Sequence, residues 1–417
     1  MPYSLFGNKF TQHSGITELM DDLNEGVQGG DDILMLGGGN PAAIPEIQNR
    51  LQELMQQLLS EGKLINTLSN YDGPQGKNTF IDALVELFND LYDWKLTAQN
   101  IMLTNGSQNA FFYLFNLLAG DFSDDKNKKI LFPLAPEYIG YADASVSEDA
   151  FVAQRPKITE LADGFFKYNV DFDALKVTED IGAICVSRPT NPTGNVLTDD
   201  EINHLDRLAK KNNIPLIIDN AYGTPFPNII FENATPFWNA NTILCLSLSK
   251  FGLPGARCGI VIAKPEIIKA MSSLSGITAL SPGGIGPEIV LPLVKSKEII
   301  QLSNEVIKPF YQGKANKAIT LLQSKITIPE FKIHKAEGAL FLWLWFKELP
   351  ISSNELYKLL KSKGLLIVSG HYFFPGLDQN WQHTQECIRV NYAQDDKVVE
   401  QGITILADTI NELYANK

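Results

Sequence analysis

The sequence has no apolar run long enough to cross a bilayer: its longest, such as Ala339 to Phe346 (ALFLWLWF), are strand-length. Its opening, MPYSLFGNKFTQHSG, lacks a basic segment followed by an apolar stretch, so no secretory signal is expected. Histidine is scarce, five residues with no HxxxH or HExxH spacing, which argues against metal chemistry. The four cysteines, Cys185, Cys245, Cys258 and Cys387, are far apart and sit in apolar stretches. They read as small core residues in a reducing compartment, not as a disulfide set or a CxxC site, so a cytoplasmic address is expected. Basic charge is also short: 35 Lys and Arg against 48 Asp and Glu give a formal net charge of −13. With no Lys/Arg cluster to override that balance, a phosphate-neutralising surface for nucleic acid is excluded. No repeat, low-complexity tract or long flexible linker is present.

What remains is an ordinary globular composition, 44% apolar and 20% charged, in a chain of 417 residues. That length exceeds what one hydrophobic core usually serves, so two closely joined lobes are expected. Short strand-like runs alternate with helical patterns through the middle: Ile101–Leu103, Ile130–Phe132, Ile181–Val186, Ile214–Ile218, Thr242–Leu248 and Gly259–Ala263. A capping box of Thr198 and Glu201 opens a helix whose buried stripe is Ile202, Leu205, Leu208 and Ala209. Such alternation predicts an α/β fold with a mostly parallel sheet. The later chain reads as a separate α+β lobe. A helical stretch near 295–322 leads into strand-like Phe331–Phe346, then helix Ser353–Ser362, strands Leu365–Ser369 and Cys387–Tyr392, and a closing helix with Val399, Ile403, Leu406, Ile410 and Leu413 on one face. The first forty residues read as irregular, able to wrap onto another element or another subunit. The expected division is a segment 1–45 packing with the small domain, a large domain 46–300 and a small domain 301–417.

Polar residues cluster just after the central strands, where open α/β sheets bind ligands. Asn191 lies in SRPTNPTGN, Asp219 and Tyr222 in DNAY, Ser247, Ser249 and Lys250 in SLSK, and Arg257 seven residues further on. A strand-end lysine that is buried becomes a neutral nucleophile able to condense with an aldehyde cofactor. A carboxylate such as Asp219 can keep a pyridine nitrogen protonated. Ser247, Ser249 and the permanently charged Arg257 can hold a phosphate. The turn Thr104 to Gln108 follows a strand and opens a helix, so it offers free backbone N–H groups to a second face of that phosphate. Each piece alone reads more readily as a cap, a turn or a solvated charge. Their combination in this order raises the functional reading.

NPTG, DNAY, SLSK followed by GxRCG, and the late Arg389-Val390-Asn391-Tyr392 resemble the fold type I pyridoxal-phosphate aminotransferases, class I/II branch, over essentially the whole chain. The resemblance implies a pyridoxal-phosphate transferase fold: a large domain with a mostly parallel central sheet and a smaller α+β domain. It implies pyridoxal 5'-phosphate held covalently by Lys250, with Asp219 at the ring nitrogen and Tyr222 and Asn191 on the phenolic oxygen. Ser107, Gln108, Ser247, Ser249 and Arg257 would hold the phosphate. Tyr138 would stack on the ring, with Tyr141 as the neighbouring aromatic able to do so instead. Arg389 would bind the substrate carboxylate with the backbone of Gly39 and with Asn191, and Tyr71 would reach the partner subunit's phosphate in a homodimer.

No arginine can be argued onto a side-chain carboxylate, so small neutral amino acids such as valine or alanine, with pyruvate or 3-methyl-2-oxobutanoate as acceptor, are expected. Tyr138 and Phe6 are candidate apolar lining. Arg188 reads as solvent-facing, and His13 and Thr11 as loop packing. A lyase acting by β-elimination on the same cofactor is the nearest competing reading. A nicotinamide enzyme would use Gly37-Gly38-Gly39-Asn40-Pro41-Ala42, but Pro41 and Pro45 disfavour a helix opening on those glycines. A P-loop reading of Gly73 to Asn78 fails on glycine spacing, and a ligand-sensing regulator lacks a basic DNA-binding segment.

Overall fold

The structure, a computed structural model, describes residues 2–28, 33–124, 126–377 and 380–417. Its larger sheet runs in the order Ile101–Thr104, Gly259–Ile262, Thr242–Ser247, Leu216–Asp219, Ile181–Ser187, Asn127–Phe132 and Gly120–Asp121, with Phe151–Ala153 also on Asn127–Phe132. From Thr242–Ser247 through Asn127–Phe132 to Phe151–Ala153 every pairing is parallel, and Gly259–Ile262 runs against both its neighbours. The strands read as unbroken apolar runs because both faces are covered. Met102, Ile130, Cys185, Ile217, Ile243 and Val261 pack on one side with Phe111 and Phe115. Leu103, Leu131, Ile184, Ile218, Leu244 and Ile260 pack on the other. Alternate residues therefore enter different cores. A truncation such as Leu244→Ala is expected to cost about 2–5 kcal/mol.

The strands expected for this sheet all form, with ends that differ by a few residues, whereas the expected strand Leu365–Ser369 splits into Leu365–Leu366 and Val368–Ser369, which join different sheets. Leu216–Asp219 begins after Pro215, which has no N–H to give the ladder. Asp219 is the last residue of its strand and is in register with Ser187 on one side and Cys245 on the other. The helix Asp199–Lys211 starts at the expected capping box, with the Thr198 hydroxyl accepting from the Glu201 N–H at 3.2 Å.

A second sheet runs Val368–Ser369, Cys387–Asn391, Phe341–Phe346, Phe331–His334, Phe165–Asn169 and Lys157–Glu160. The continuous strand-like Phe331–Phe346 is thus two strands of one antiparallel pair. Two further strands come from 157–169, inside the span expected to serve only the large domain. That recruitment is non-local and leaves no mark in the local pattern. The closing helix is Asp396–Ala415, with Val399, Ile403, Leu406 and Ile410 buried.

The opening segment departs from the irregular expectation. Residues 1 and 29–32 lie outside the described residues, but Leu5–Phe10 and Gly15–Gln28 are helical. The first is capped by the Ser4 hydroxyl, which accepts from the Gly7 N–H at 3.1 Å. The second docks through buried Asp22, whose carboxylate accepts from Tyr357 Oη and Lys361 Nζ, each at 2.8 Å. Leu34–Met35 then pairs in parallel with Leu365–Leu366. The segment leads directly into Gly37, Gly38 and Gly39, whose carbonyls meet side chains from both sheets.

Candidate active site

Four parallel strands end on one rim, and their following loops supply the polar side chains. Lys250 follows Thr242–Ser247, Tyr222 follows Asp219, Asn191 follows Ile181–Ser187, and Tyr138 and Tyr141 follow Asn127–Phe132. Arg389 approaches from the second sheet, on the strand Cys387–Asn391.

The glycine run ties these parts together. The carbonyl of Gly37 accepts from Arg389 Nη2 at 2.5 Å, that of Gly38 from Asn391 Nδ2 at 2.5 Å, and that of Gly39 from Lys250 Nζ at 2.6 Å. Three consecutive carbonyls thus face three polar groups of the rim. Sequence reasoning named Gly39 but missed Gly37, Gly38 and Asn391, whose pairing depends on the fold.

Lys250 is half-buried. Desolvation first, then Arg389 and Arg257, lower its pKa to about 8, against a smaller opposing pull from Asp219. Its ammonium form also lies 5.3 Å from the buried Tyr222 ring. Arg389 is 1% exposed and its pKa is lowered to about 10, mainly by desolvation. The neighbours that favour its charge are the phenols of Tyr222 and Tyr138, not a carboxylate. Its Nη1 donates to Asn191 Oδ1 at 2.8 Å, its Cζ lies 4.1 Å from the Phe341 centroid, and its buried Nε has no partner among the described residues. A buried guanidinium with an orphaned donor requires an anion to complete it.

Asp219 is held by Tyr141, whose hydroxyl donates to Oδ2 at 2.6 Å, and by the Ala221 N–H at 3.0 Å. Burial raises its pKa, while the Tyr141 and Ala221 hydrogen bonds and Lys250 oppose that rise. The two candidate aromatics have separate places. Tyr141 is fully buried and stacks on Phe132 at 5.6 Å, so it belongs to the core and holds Asp219. Tyr138 is only partly buried and meets Tyr141 edge-on at 5.3 Å.

At the phosphate side, Gly106 precedes the helix Ser107–Leu118 with φ +89° and ψ 162°. A Cβ there would lie 2.3 Å from Arg257 Nη2, so only glycine allows the guanidinium this close to the helix N-terminus. Arg257 also donates to the carbonyls of Pro254 and Asn105. Together with the unpaired first-turn N–H groups at Ser107 and Gln108, this cradle has the chemistry of a phosphate site. Ser247 is buried and its hydroxyl accepts from the Ser249 N–H at 3.1 Å, while Ser249 is half-buried. The Gln108 side chain donates to the Gly140 carbonyl at 2.9 Å and leaves Oε1 without a partner. Its backbone N–H, not its amide, therefore suits an anion. The donor set fits a phosphorylated, aldehyde-bearing pyridine ring.

Tyr71 is 82% exposed and lies outside this cluster. Phe6 is exposed and meets the Phe10 ring at a tilt, with centroids 4.7 Å apart, so it is not lining of the site within the chain. Arg188, expected to face solvent, is instead buried. Its guanidinium donates to the carbonyls of Leu197 and Thr235 and pairs with Asp199 at 2.5 Å, because the NPTG turn brings the following helix back over it. His13 is exposed and 3.7 Å from Glu18, and the Thr11 hydroxyl donates to Gly7 O in a helix end. Glu137 and Ser187 were not singled out from sequence, yet both are buried against the Asp219 side of the site.

The family model for aminotransferases of class I and II matches residues 32–406. Valine–pyruvate aminotransferase of Escherichia coli (strain K12) is 54% identical over 415 residues, covering 100% of this chain and 99% of its own. The crystal structure of valine–pyruvate aminotransferase from Salmonella typhimurium LT2 superposes with a TM-score of 0.89 at 53% identity, covering 97% of this chain and 100% of that one. Aspartate aminotransferase from Thermus thermophilus shares the fold at a TM-score of 0.79 and 21% identity, over 98% of this chain and 99% of that one.

Proposed function

The chain belongs to the class I and II aminotransferases, and on that premise we propose that it exchanges an amino group between L-valine or L-alanine and pyruvate or 3-methyl-2-oxobutanoate. The observation that carries the reading is the pair Arg389 and Lys250. One is a buried cation that lacks an anion among the described residues, and the other an amine whose pKa this cation helps to lower.

Pyridoxal 5'-phosphate, which the family implies, supplies an aldehyde that condenses with amines and a ring that takes up the electron pair released at the α-carbon. Asp219 would face the ring nitrogen, Tyr222 and Asn191 the phenolic oxygen, and Tyr138 the ring face. The Gly106 cradle would hold the phosphate through Ser107, Gln108 and Arg257, with Ser247 and Ser249. Arg389 orients the substrate carboxylate, and its bond to Asn191 fixes the guanidinium plane. The Lys250 amine, with its pKa near 8, takes the α-proton and returns it, while the Gly39 carbonyl aims Nζ. Small neutral substrates are supported by the relative's name and by the aromatic walls Phe341 and Tyr222, which offer no second cation.

A homodimer is supported by large apolar side chains left exposed: Ile65 and Leu68 on the helix Lys63–Ser69, then Tyr71, and also Leu5 and Ile277. In it Tyr71 would complete the partner subunit's phosphate site. The division into 1–45, 46–300 and 301–417, with 157–169 lent to the second sheet, is the domain reading that goes with this function. The four free, buried cysteines support a cytoplasmic location.

The test is product stoichiometry with L-valine and pyruvate. L-Alanine and 3-methyl-2-oxobutanoate should appear in equal amounts, and Lys250→Ala should lower turnover at least about 100-fold. A protein that forms neither product but releases ammonia and pyruvate from a β-substituted alanine such as L-serine would instead be a lyase. Full activity in Lys250→Ala would remove the lysine from the mechanism.

A further inference from the structure

Behind Asp219 lies a second carboxyl group that the reaction above does not use. Glu137 is 1% exposed. Its Oε1 accepts from the Ser187 N–H at 3.0 Å, and its Oε2 lies 2.5 Å from Ser187 Oγ. Ser187 Oγ is 3.5 Å from Tyr141 Oη, which in turn donates to Asp219 Oδ2 at 2.6 Å. Two carboxyl groups are therefore bridged by two hydroxyls, and the sheet register that sets Ser187 opposite Asp219 builds the bridge.

Several elements present groups to Glu137. Its own loop contributes Tyr138 and Tyr141, the strand Ile181–Ser187 contributes Cys185 and Ser187, and Leu216–Asp219 contributes Asp219. The turn Gly370–Phe373 contributes the Phe373 carbonyl, which accepts the Glu137 N–H at 2.8 Å. Among the described residues, no cation is among the groups that act on it. Two anions joined through neutral hydroxyls in a dry site repel each other, and a carboxyl without a cation is better neutral.

We propose that Glu137 is a positioning residue that carries a proton at neutral pH and, through Ser187 and Tyr141, leaves Asp219 as the single negative charge of the pair. This rests on the reading of Asp219 as the partner of the cofactor's ring nitrogen. Glu137 touches neither substrate nor cofactor. It acts by fixing the charge and the tilt of Asp219. Desolvation, with repulsion from Asp219 as a further contribution, raises its pKa to about 8. The hydrogen bonds from the Ser187 hydroxyl and N–H and from the Tyr138 backbone oppose that rise without cancelling it.

The test uses infrared spectroscopy of the cofactor-free full-length protein, so it does not depend on turnover. Wild type at pH 6.5 should show the carbonyl stretch of a buried protonated carboxyl, and Glu137→Gln should lack it. That band should titrate near pH 8 in wild type. It should titrate at lower pH in Asp219→Asn, where the repelling charge is gone. Absence of the band, or a titration unmoved in Asp219→Asn, would overturn the proposal. Glu137→Gln, a neutral side chain of the same length, should keep pyridoxal phosphate affinity at neutral pH within about tenfold of wild type. A larger loss would mean that the native group is ionised, against the proposal. Failure of wild type itself to bind pyridoxal phosphate would overturn both the cofactor reading and the role given to Glu137, and the infrared titration separates that outcome from the others.

Discussion

At the scale of single residues, the site is set by groups whose surroundings leave them incomplete. Arg389 has two of its nitrogens on Asn191 and Gly37 and a third with no partner among the described residues, and Gly106 keeps a conformation that side chains avoid so that Arg257 can approach. Backbone in that region costs about 1–3 kcal/mol for any other residue. Gly106→Ala should therefore fold, displace the Arg257 guanidinium and weaken pyridoxal phosphate binding by about tenfold or more, through strain and one lost charge-assisted contact. Equilibrium titration of the apo-protein with the cofactor measures this, and an unchanged affinity would take the Gly106–Arg257 cradle out of the phosphate site. Lys250, Asp219 and Asn191 were picked out in the sequence by short motifs at or just after strand ends, and Arg389 by the run Arg389 to Tyr392 within its strand; the fold brings the four together. Glu137, Ser187 and the carbonyls of Gly37 and Gly38 were not, since their partners are chosen by strand register and by the crossing of two sheets. Arg188 was misread for the same reason: nothing local announces that a helix will close over it.

At the scale of elements, strands and capped helices followed their local signals, while the opening helices did not. Leu5–Phe10 has no buried residue, so its sequence carries no core-facing stripe to read. The second sheet holds a different device, a buried aromatic and imidazole cluster. His334 accepts the Tyr168 N–H on Nε2 at 3.1 Å, and His383 Nε2 lies 2.5 Å from Tyr168 Oη, which also accepts from Trp343 Nε1 at 2.9 Å. Desolvation lowers both histidines to about 3. Both stay neutral in the fold, whereas the unfolded chain takes up protons below about 6.5. Their contribution is present above that pH and is lost on acidification, by up to about 1.4 kcal/mol per pH unit for each ring. Glu137, with its raised pKa, works in the opposite sense, stabilising below its unfolded value and less so as pH rises towards 8. For these three groups, two imidazoles against one carboxyl leave a net loss on going from pH 6.5 to pH 5. Urea unfolding at the two pH values should show it, and His383→Gln should reduce the slope by about one proton. A slope unchanged in His383→Gln would show that this ring is charged in the fold.

At the scale of the whole molecule, the larger sheet supplies the lysine and the aspartate, the second sheet supplies the arginine, and the opening segment supplies the carbonyls between them. The fold type I architecture follows from both the sequence pattern and the structural relatives. What a single chain leaves open is the exposed Tyr71 and the apolar surface near it. Sedimentation should give a dimer at micromolar concentration, and Tyr71→Phe should weaken cofactor affinity without changing that mass. A monomer that binds the cofactor fully would contradict a shared site.

The most direct test of the account is the absorption spectrum of the purified protein with pyridoxal phosphate, before and after L-valine and then pyruvate. The account predicts a yellow band that bleaches with valine and returns with pyruvate, both changes being lost in Lys250→Ala. A band that valine leaves untouched, or that bleaches and does not return with pyruvate, would contradict amino transfer between this pair.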